Sequence, residues 1–313
     1  MKKLLIISFL IASGLSLSAQ QLEQWTQFSL NEYTVNPAVS GSDKYFYANA
    51  MFRQQWVGVV DAPRTYYMSV QGPIWRDRMG IGGSLMSDVV GALSKNGIQL
   101  SYAYHLPIDK TQRLSFSLST SIYQWAVNGA ELKLESSNDI ALSNGNMSAW
   151  VPDFAYAMRY EWKDLHVGIC IPQITNSKLR LFEDYRLTES QMNRHYYFNA
   201  GYGYNINSDF KLEGSYFARF VTPVFNQDLQ VKCTYKEMVW LGTGVRMPMA
   251  KGNRVNALYF MTGYQFENNM VIGYSYDLNF QNVGAATSGS HEVLVGIRFN
   301  RRNNKPLLPP AEF

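Results

Sequence analysis

The sequence predicts an all-β protein: a transmembrane outer-membrane antiparallel β-barrel of about 14 strands, with short periplasmic turns and long extracellular loops. Three observations predict this fold. Apolar and polar residues alternate along most of the chain, an export signal precedes the alternation, and 17% of residues are charged while 14% are aromatic. Alternation with a period of two is typical of a β-strand, because successive side chains leave opposite faces. Low charge with many aromatic residues fits a wall whose rings lie at the membrane interfaces.

The clearest strand is the stretch R-L-S-F-S-L-S-T-S-I at residues 113–122, in which the large apolar residues leave one face and serines leave the other. The apolar row suits lipid, and the serine row suits a polar barrel interior. Stretches of this kind recur with lengths near the ~9–11 residues that cross a membrane at a tilt. The predicted strands are 44–56, 64–72, 78–88, 95–105, 112–123, 150–160, 162–171, 196–206, 209–219, 226–235, 238–246, 255–264, 267–277 and 289–299.

The connections between these strands alternate in length, with tight turns at one end of the barrel. The longer connections are 57–63, 89–94, 124–149, 171–195, 220–225, 247–254 and 278–288. Outer-membrane barrels have short turns on the periplasmic side and long loops outside, so we expect both chain termini in the periplasm. A secreted β-sandwich or propeller is the alternative fold, but neither gives a reason for this alternation.

The chain divides into four parts. Residues 1–19 predict a secretory signal peptide, with a charged start, an apolar run and a small residue at the cleavage position. Residues 20–43 lack periodicity and are predicted to lie either inside the barrel as a plug or beneath it in the periplasm. Residues 44–299 form the barrel, and residues 300–313 form a basic periplasmic tail. No later run reaches the about 18 apolar residues of a transmembrane helix.

The sequence carries no recognisable catalytic or metal-binding motif. The four histidines lack metal-ligand spacing, and HExxH, CxxC and GxSxG are all missing. We therefore predict no enzyme activity, no cofactor and no bound metal. Cys170 and Cys233 fall near opposite ends of the predicted barrel, so we expect no disulfide between them. A phospholipase-type barrel, with a Ser and a His on adjacent strands, is the remaining enzymatic alternative.

Arg53 is a charged residue within a predicted spanning strand. On the lipid face it would cost about 2–4 kcal/mol near the membrane midplane, so we expect it to face the lumen. There it needs a carboxylate, and strand position makes Asp88 and Glu292 the candidates. Arg53 either belongs to an interior ion-pair network that maintains the barrel shape or contacts a ligand.

Short motifs spread along the chain in a fixed order resemble a known family. The residues that carry the resemblance are Asn36, Pro37, Arg53, Gln54, Trp56, Pro63, Asp88, Gly91, Gly289, His291 and Glu292. Each motif is short, but their number and order are similar to those of the PorP/SprF family of type IX secretion membrane proteins. The family pattern favours Lys at the position of Arg64, so the positive charge is preserved.

The resemblance implies an integral protein of the cell outer membrane that works without enzymatic activity in type IX secretion and gliding. It implies, as partner, a large surface adhesin that the barrel binds, helps to secrete or anchors through a C-terminal sorting domain. A periplasmic peptidoglycan-binding lipoprotein and other type IX components are further implied partners. Aromatic residues dominate interface hot spots, so candidate partner contacts are Trp125, Trp150, Phe182, Tyr185 and Phe225.

A transport channel resembling the long-chain fatty-acid transporter class is the alternative function. In that class an N-terminal segment forms a hatch, and the barrel holds an apolar pocket. Here the predicted inward faces are rich in Ser, Asn, Gln and Gly, which disfavours such a pocket. The basic residues are scattered, so nucleic acid is not expected as a partner.

Overall fold

The computed structural model describes residues 23–75, 78–129, 147–179, 181, 190–222, 224–248, 255–280 and 286–299. The strands are β1 (Phe46–Gln54), β2 (Arg64–Trp75), β3 (Met79–Val90), β4 (Leu93–Pro107), β5 (Gln112–Val127), β6 (Met147–Trp162), β7 (Leu165–Ile171), β8 (Lys178–Leu179), β9 (Ser190–Gln191), β10 (Tyr196–Asn205), β11 (Phe210–Val221), β12 (Val224–Tyr235), β13 (Val239–Pro248), β14 (Ala257–Gln265), β15 (Met270–Asn279) and β16 (Ser290–Phe299).

Fourteen of these strands form one closed antiparallel barrel, and β8 and β9 form a separate two-stranded sheet. Sequential strands are neighbours throughout the wall, except that β7 pairs with β10. The first strand closes on the last, from the pair Phe46–Phe299 to the pair Gln54–His291. The predicted fold class is therefore confirmed.

The alternation sorts side chains between the interior and the outer face. On β5 the serines Ser115, Ser117, Ser119 and Ser121 are buried, whereas Leu118 is 67% exposed on the outer face. A soluble protein would bury the leucine and expose the serines. The reversed arrangement fits a barrel with lipid outside and polar groups within.

The two ends of the barrel differ. We call the end that carries residues 55–63 the loop end and the end that carries residues 108–111 the turn end. Aromatic side chains pair on the outer face at both ends, as expected for interfacial belts. The ring pairs are Phe46–Phe299 and Phe210–Tyr235 at the turn end, and Phe52–Tyr66 and Tyr196–Phe220 at the loop end.

Two connections predicted as longer loops are tight turns instead. β3 continues to Val90 and β4 begins at Leu93, while β11 continues to Val221 and β12 begins at Val224. The reason is that main-chain pairing persists beyond the membrane-spanning length, with Val90 opposite Leu93 and Val221 opposite Val224. The loop end therefore mixes short and long connections.

The three longest strands, β4 to β6, extend the wall at the loop end. β5 and β6 remain paired up to Val127 and Met147, well beyond the predicted bounds. The remainder of that loop lies outside the described residues. The predicted signal peptide and basic tail also lie outside them.

The N-terminal segment, residues 23–43, runs through the interior of the barrel. Glu23 pairs with Lys95 near the loop end, and Ser42 accepts a hydrogen bond from Arg113 near the turn end. Two short 3₁₀ helices, Glu32–Thr34 and Pro37–Val39, interrupt the segment. The described part of the chain begins towards the loop end, and β16 ends at the turn end.

No helix in the described part of the chain has the length and apolar character needed to cross a membrane.

Candidate functional site

Six charged side chains gather in the lumen near the loop end, and we call this group the arginine cluster. Its members are Arg53, Arg219, Arg246, Asp228, Asp277 and Glu292, all buried. Each lies within a few residues of the loop end of its strand, facing inward. Three positive and three negative charges make the group neutral, which buried charges require because an unpaired ion is costly away from water.

The ion pairs of the arginine cluster form a chain along the wall. Arg53 lies 2.7 Å from Asp277 and 3.1 Å from Glu292. Arg246 lies 3.0 Å from Asp277 and 2.7 Å from Asp228. Arg219 extends the chain, because it lies 3.3 Å from Asp228. The cluster thereby ties β1, β16, β15, β13, β12 and β11 together.

The N-terminal segment completes the cluster. The main-chain N–H groups of Thr26 and Gln27 donate to the two carboxylate oxygens of Glu292 at 2.8 and 2.9 Å. Thr26 Oγ1 donates to Asp277 at 2.8 Å and accepts from Arg53 and Arg246 at 3.0 and 3.2 Å. The segment and the wall therefore share one hydrogen-bond network.

Of the two carboxylates predicted as partners of Arg53, one is correct. Glu292 is bonded to Arg53, because closure of the barrel places the two residues directly opposite each other on β16 and β1. Asp88 is not bonded to Arg53: it accepts a hydrogen bond from Thr65 at 2.6 Å instead. The reason is that β2 separates β3 from β1. Asp277 is the second partner, and the sequence did not identify it.

The middle of the segment is positioned by Asn36 and Pro37. The Asn36 side chain accepts from the N–H of Ala38 at 3.0 Å and donates to Asn199 Oδ1 at 3.0 Å. Pro37 opens the second 3₁₀ helix, where its missing N–H costs nothing. The motif thus both caps a turn of the segment and joins it to β10.

Inward-facing glycines form a seat for the segment. A Cβ placed on Gly80 would stand 1.8 Å from the carbonyl oxygen of Ser40, closer than any real contact. Further positions at which a Cβ would overlap segment atoms are Gly82 with Tyr33, Gly168 with Asn36, and Gly273 with Gln27. The wall lacks side chains where the segment comes closest, so the two surfaces are complementary.

A second ion-pair group lies towards the turn end. Glu32 of the segment pairs with Arg159 and lies 3.0 Å from His166. Arg159 also bonds Glu161 at 3.0 Å, and Glu161 pairs with Arg113. In the described residues, no group of three or more His, Cys, Asp or Glu side chains could hold a metal ion. The chemistry of both charged groups is ion pairing.

At the loop end, β8, β9 and their flanking residues cover part of the inner wall. Leu179 and Met192 pack on the inner faces of β5 and β6, in a cluster with Tyr123, Trp125 and Val151. His195 is buried beside this cover, and burial lowers its pKa to about 4. Its Nδ1 lies 2.7 Å from the carbonyl oxygen of the Gln173 side chain, whereas its Nε2 has no partner among the described residues.

The aromatic residues predicted to contact a partner lie in different environments. Trp125 is buried in the cluster just described, so the prediction of an exposed contact there is wrong. Trp150 is 61% exposed on the outer face of β6. Phe225 lies at the start of β12, its ring 6.5 Å from that of Phe220. Phe182 and Tyr185 lie outside the described residues.

Most of the remaining motif residues gather around residues 55–63 at the loop end. Those that lie within or against this loop are Gln54, Trp56, Pro63, Gly91 and Gly289. His291 leaves the outer face of β16, where its Nδ1 lies 2.7 Å from the hydroxyl oxygen of Tyr274. Cys170 and Cys233 are free thiols on β7 and β12.

A barrel with an apolar outer face, aromatic belts and an interior occupied by its own N-terminal segment defines an integral outer-membrane protein. Residues 17–297 match the family of type IX secretion system membrane proteins PorP/SprF. The match spans most of the chain, which therefore belongs to the PorP/SprF family.

Solved structures similar to the chain are barrels of the outer membrane. The Acinetobacter baumannii protein Omp33 has a TM-score of 0.48 and 8% identity, over 83% of this chain and 99% of that one. The monoaromatic hydrocarbon channel CymD has a TM-score of 0.49 and 11% identity, over 83% and 90%. The KdgM porin has a TM-score of 0.37 and 9% identity, over 81% and 98%. No curated protein matched the sequence.

Proposed function

We propose that the chain is a non-enzymatic barrel of the type IX secretion and gliding system. It binds, helps to secrete or anchors a large surface adhesin through the adhesin's C-terminal sorting domain. A periplasmic peptidoglycan-binding lipoprotein and other type IX components are further partners. Family membership supports the role in secretion, and the observation that carries the choice of a binding role is the filled interior.

The filled interior favours binding over transport because the segment runs through the lumen from Lys95 near the loop end to Arg113 near the turn end. A cavity of about 70 Å³ lies between the segment and the wall, next to Trp25, Tyr67 and Tyr197. A single water needs about 10–15 Å³ on this scale, so the cavity holds a few waters. A fatty acid or an extended peptide does not fit this cavity, so in this proposal partners meet the exposed surfaces of the barrel. In this proposal the loop end faces outward.

The test is capture of partners from the native outer membrane. An affinity-tagged chain is cross-linked in living cells and purified, and the bound proteins are quantified by mass spectrometry. We expect enrichment of proteins with a C-terminal sorting domain, relative to a tagged porin of similar size as control. Recovery of no such protein would overturn the proposal.

The transport alternative has its own measurement. The purified chain is expected to give no steady conductance in planar bilayers and no uptake of long-chain fatty acids in vesicles. Uptake by the purified barrel alone, without any type IX partner, would favour a channel instead.

A further inference from the structure

The most exposed apolar side chain in the described part of the loop end belongs to Val60. It is 83% exposed, more than the 67% of Leu118 on the lipid-facing wall. Single exposed apolar residues are ordinary on protein surfaces and need no explanation by themselves. The loop that carries Val60, residues 55–63, has further properties that set it apart.

Hydrogen bonds fix this loop to two neighbouring connections. The N–H of Val57 donates to Gly289 O at 2.8 Å, and the N–H of Ser288 donates back to Val57 O at 2.8 Å. The N–H of Gly91 donates to Asp61 O at 3.1 Å, which joins the loop to the β3–β4 turn. The loop is thereby tied to the β15–β16 connection on one side and to β3–β4 on the other.

The loop's own backbone is also tightly specified. Gly58 has φ of 98°, and Trp56 and Asp61 have φ of 46° and 58°. A left-handed conformation is unfavourable for a bulky residue such as Trp and persists only where the surroundings enforce it. The N–H of Trp56 donates to Ser290 Oγ at 3.1 Å, and its carbonyl accepts from Val59 at 3.0 Å. These hydrogen bonds hold the loop in one conformation, in which the side chain of Val60 is exposed.

We infer that residues 55–63 form a preorganised docking site, and that Val60 enters an apolar pocket on the exported partner protein. This inference rests on the proposed function and deepens it by naming the contact. A loop that is already rigid loses little conformational entropy on binding, so an apolar tip held this way adds affinity efficiently.

The charges beside Val60 favour a protein over lipid as its partner. The following residue, Asp61, is exposed, and so is Arg64 where β2 begins. Insertion of the tip into a bilayer would take these charges from water, at a cost that one valine does not offset. A protein interface instead combines an apolar centre with a polar rim, which is the arrangement of this loop.

A cross-linking experiment tests the identity of the partner. Benzoylphenylalanine is placed at position 60 in the full-length chain and irradiated in living cells, and the adducts are identified by mass spectrometry. The matched control is position 108, because Ile108 is an apolar residue 54% exposed at the turn end. We expect adducts with a sorting-domain protein from position 60 and none from position 108. Adducts with lipid alone, with a second copy of the chain, or none at all would overturn the inference.

A binding experiment tests the contribution of the side chain. Val60→Asp is expected to reduce the recovery of sorting-domain protein about tenfold or more, since it places a charge in an apolar pocket. Val60→Thr keeps the shape and is expected to have a smaller effect, whereas Ile108→Asp is expected to have none. Heat resistance of each barrel in detergent checks that it is folded.

The two hypotheses fail in different ways. If the wild-type chain recovers no sorting-domain protein, the proposed function is wrong. If the wild-type chain and a folded Val60→Asp variant recover it equally, the proposed function stands and the docking site is wrong.

Discussion

Two parts of the N-terminal segment are held in the barrel by different interactions. Residues 23–31 are bound by charge, through the arginine cluster and through the pair of Glu23 with Lys95 at 3.0 Å. Residues 36–41 are bound by shape and by hydrogen bonds to uncharged groups. Gly41 N–H donates to the Gln71 side chain at 2.8 Å, and Ser40 O lies 2.9 Å from His105 Nε2.

The difference determines which substitutions destabilise each part of the segment. A buried ion-pair network contributes modestly to stability while it is complete, but removal of one member leaves an uncompensated charge. A close-packed seat contains no charge to expose, and it fails when atoms are added rather than removed. Residues 23–31 are therefore sensitive to loss of a carboxylate, and residues 36–41 are sensitive to gain of a methyl group.

The largest effect is expected from Asp277→Ala. The change leaves both Arg53 and Arg246 without a carboxylate that lies within 3.0 Å of each in the wild type. We expect the free energy of unfolding to fall by about 3–5 kcal/mol, as for one member of a buried ion pair. Urea titration of the barrel in lipid vesicles, followed by tryptophan fluorescence, measures this change.

The control for Asp277 is a more exposed ion pair. Glu213 lies 2.7 Å from Lys232 with its side chain 30% exposed. Glu213→Ala is expected to cost below about 1 kcal/mol, because water replaces the lost partner. Equal losses for the two variants would show that burial of the arginine cluster does not set its sensitivity.

Whether a contact of this site can be predicted from the sequence depends on how far apart in the barrel the two contacting elements lie. The pair of Arg53 with Glu292 follows from closure, since the first and last strands of a barrel must be neighbours. Asp277 lies one strand further away, and its approach to Arg53 depends on strand stagger and on the reach of the guanidinium. Thr26 belongs to a segment without periodicity, so no pattern places it against the arginines.

The incorrect prediction for Trp125 had a signal against it. Tyr123 and Trp125 continue the two-residue period of the inward-facing serines of β5, so the strand pattern places both rings inside. The predicted strand ends at Tyr123, so Trp125 lay beyond it, which concealed this. The cover formed by β8 and β9 was not predictable, because each strand has two residues and no periodicity.

An intermediate effect is expected from Gly80→Ala, which tests the seat. The added Cβ would overlap the Ser40 carbonyl, so the segment or the strand must shift. We expect a loss of about 1–3 kcal/mol in the same urea titration, typical of overpacking. Gly214→Ala is the control, because a Cβ there meets no atom within 4 Å. If Gly80→Ala leaves the stability equal to that of the control, the segment does not depend on the seat.

The smallest effect is expected from pH, acting through His195 at the loop end. Burial lowers the pKa of His195 from 6.5 to about 4, so the folded protein keeps this imidazole neutral in mildly acidic solution while the unfolded chain binds a proton. Its contribution to stability is thus complete above pH 6.5 and is lost as the pH falls from 6.5 towards 4.

Between pH 7 and pH 6 the cover around His195 should lose below about 1 kcal/mol of local stability. Hydrogen exchange of residues 190–195, corrected for the intrinsic pH dependence of exchange, measures the loss. His195→Gln should abolish the pH dependence, and the β10–β11 turn at residues 206–209, which has no histidine, should not change. A similar change in that turn would mean that acid destabilises the whole barrel. The two ends would then unfold together rather than independently.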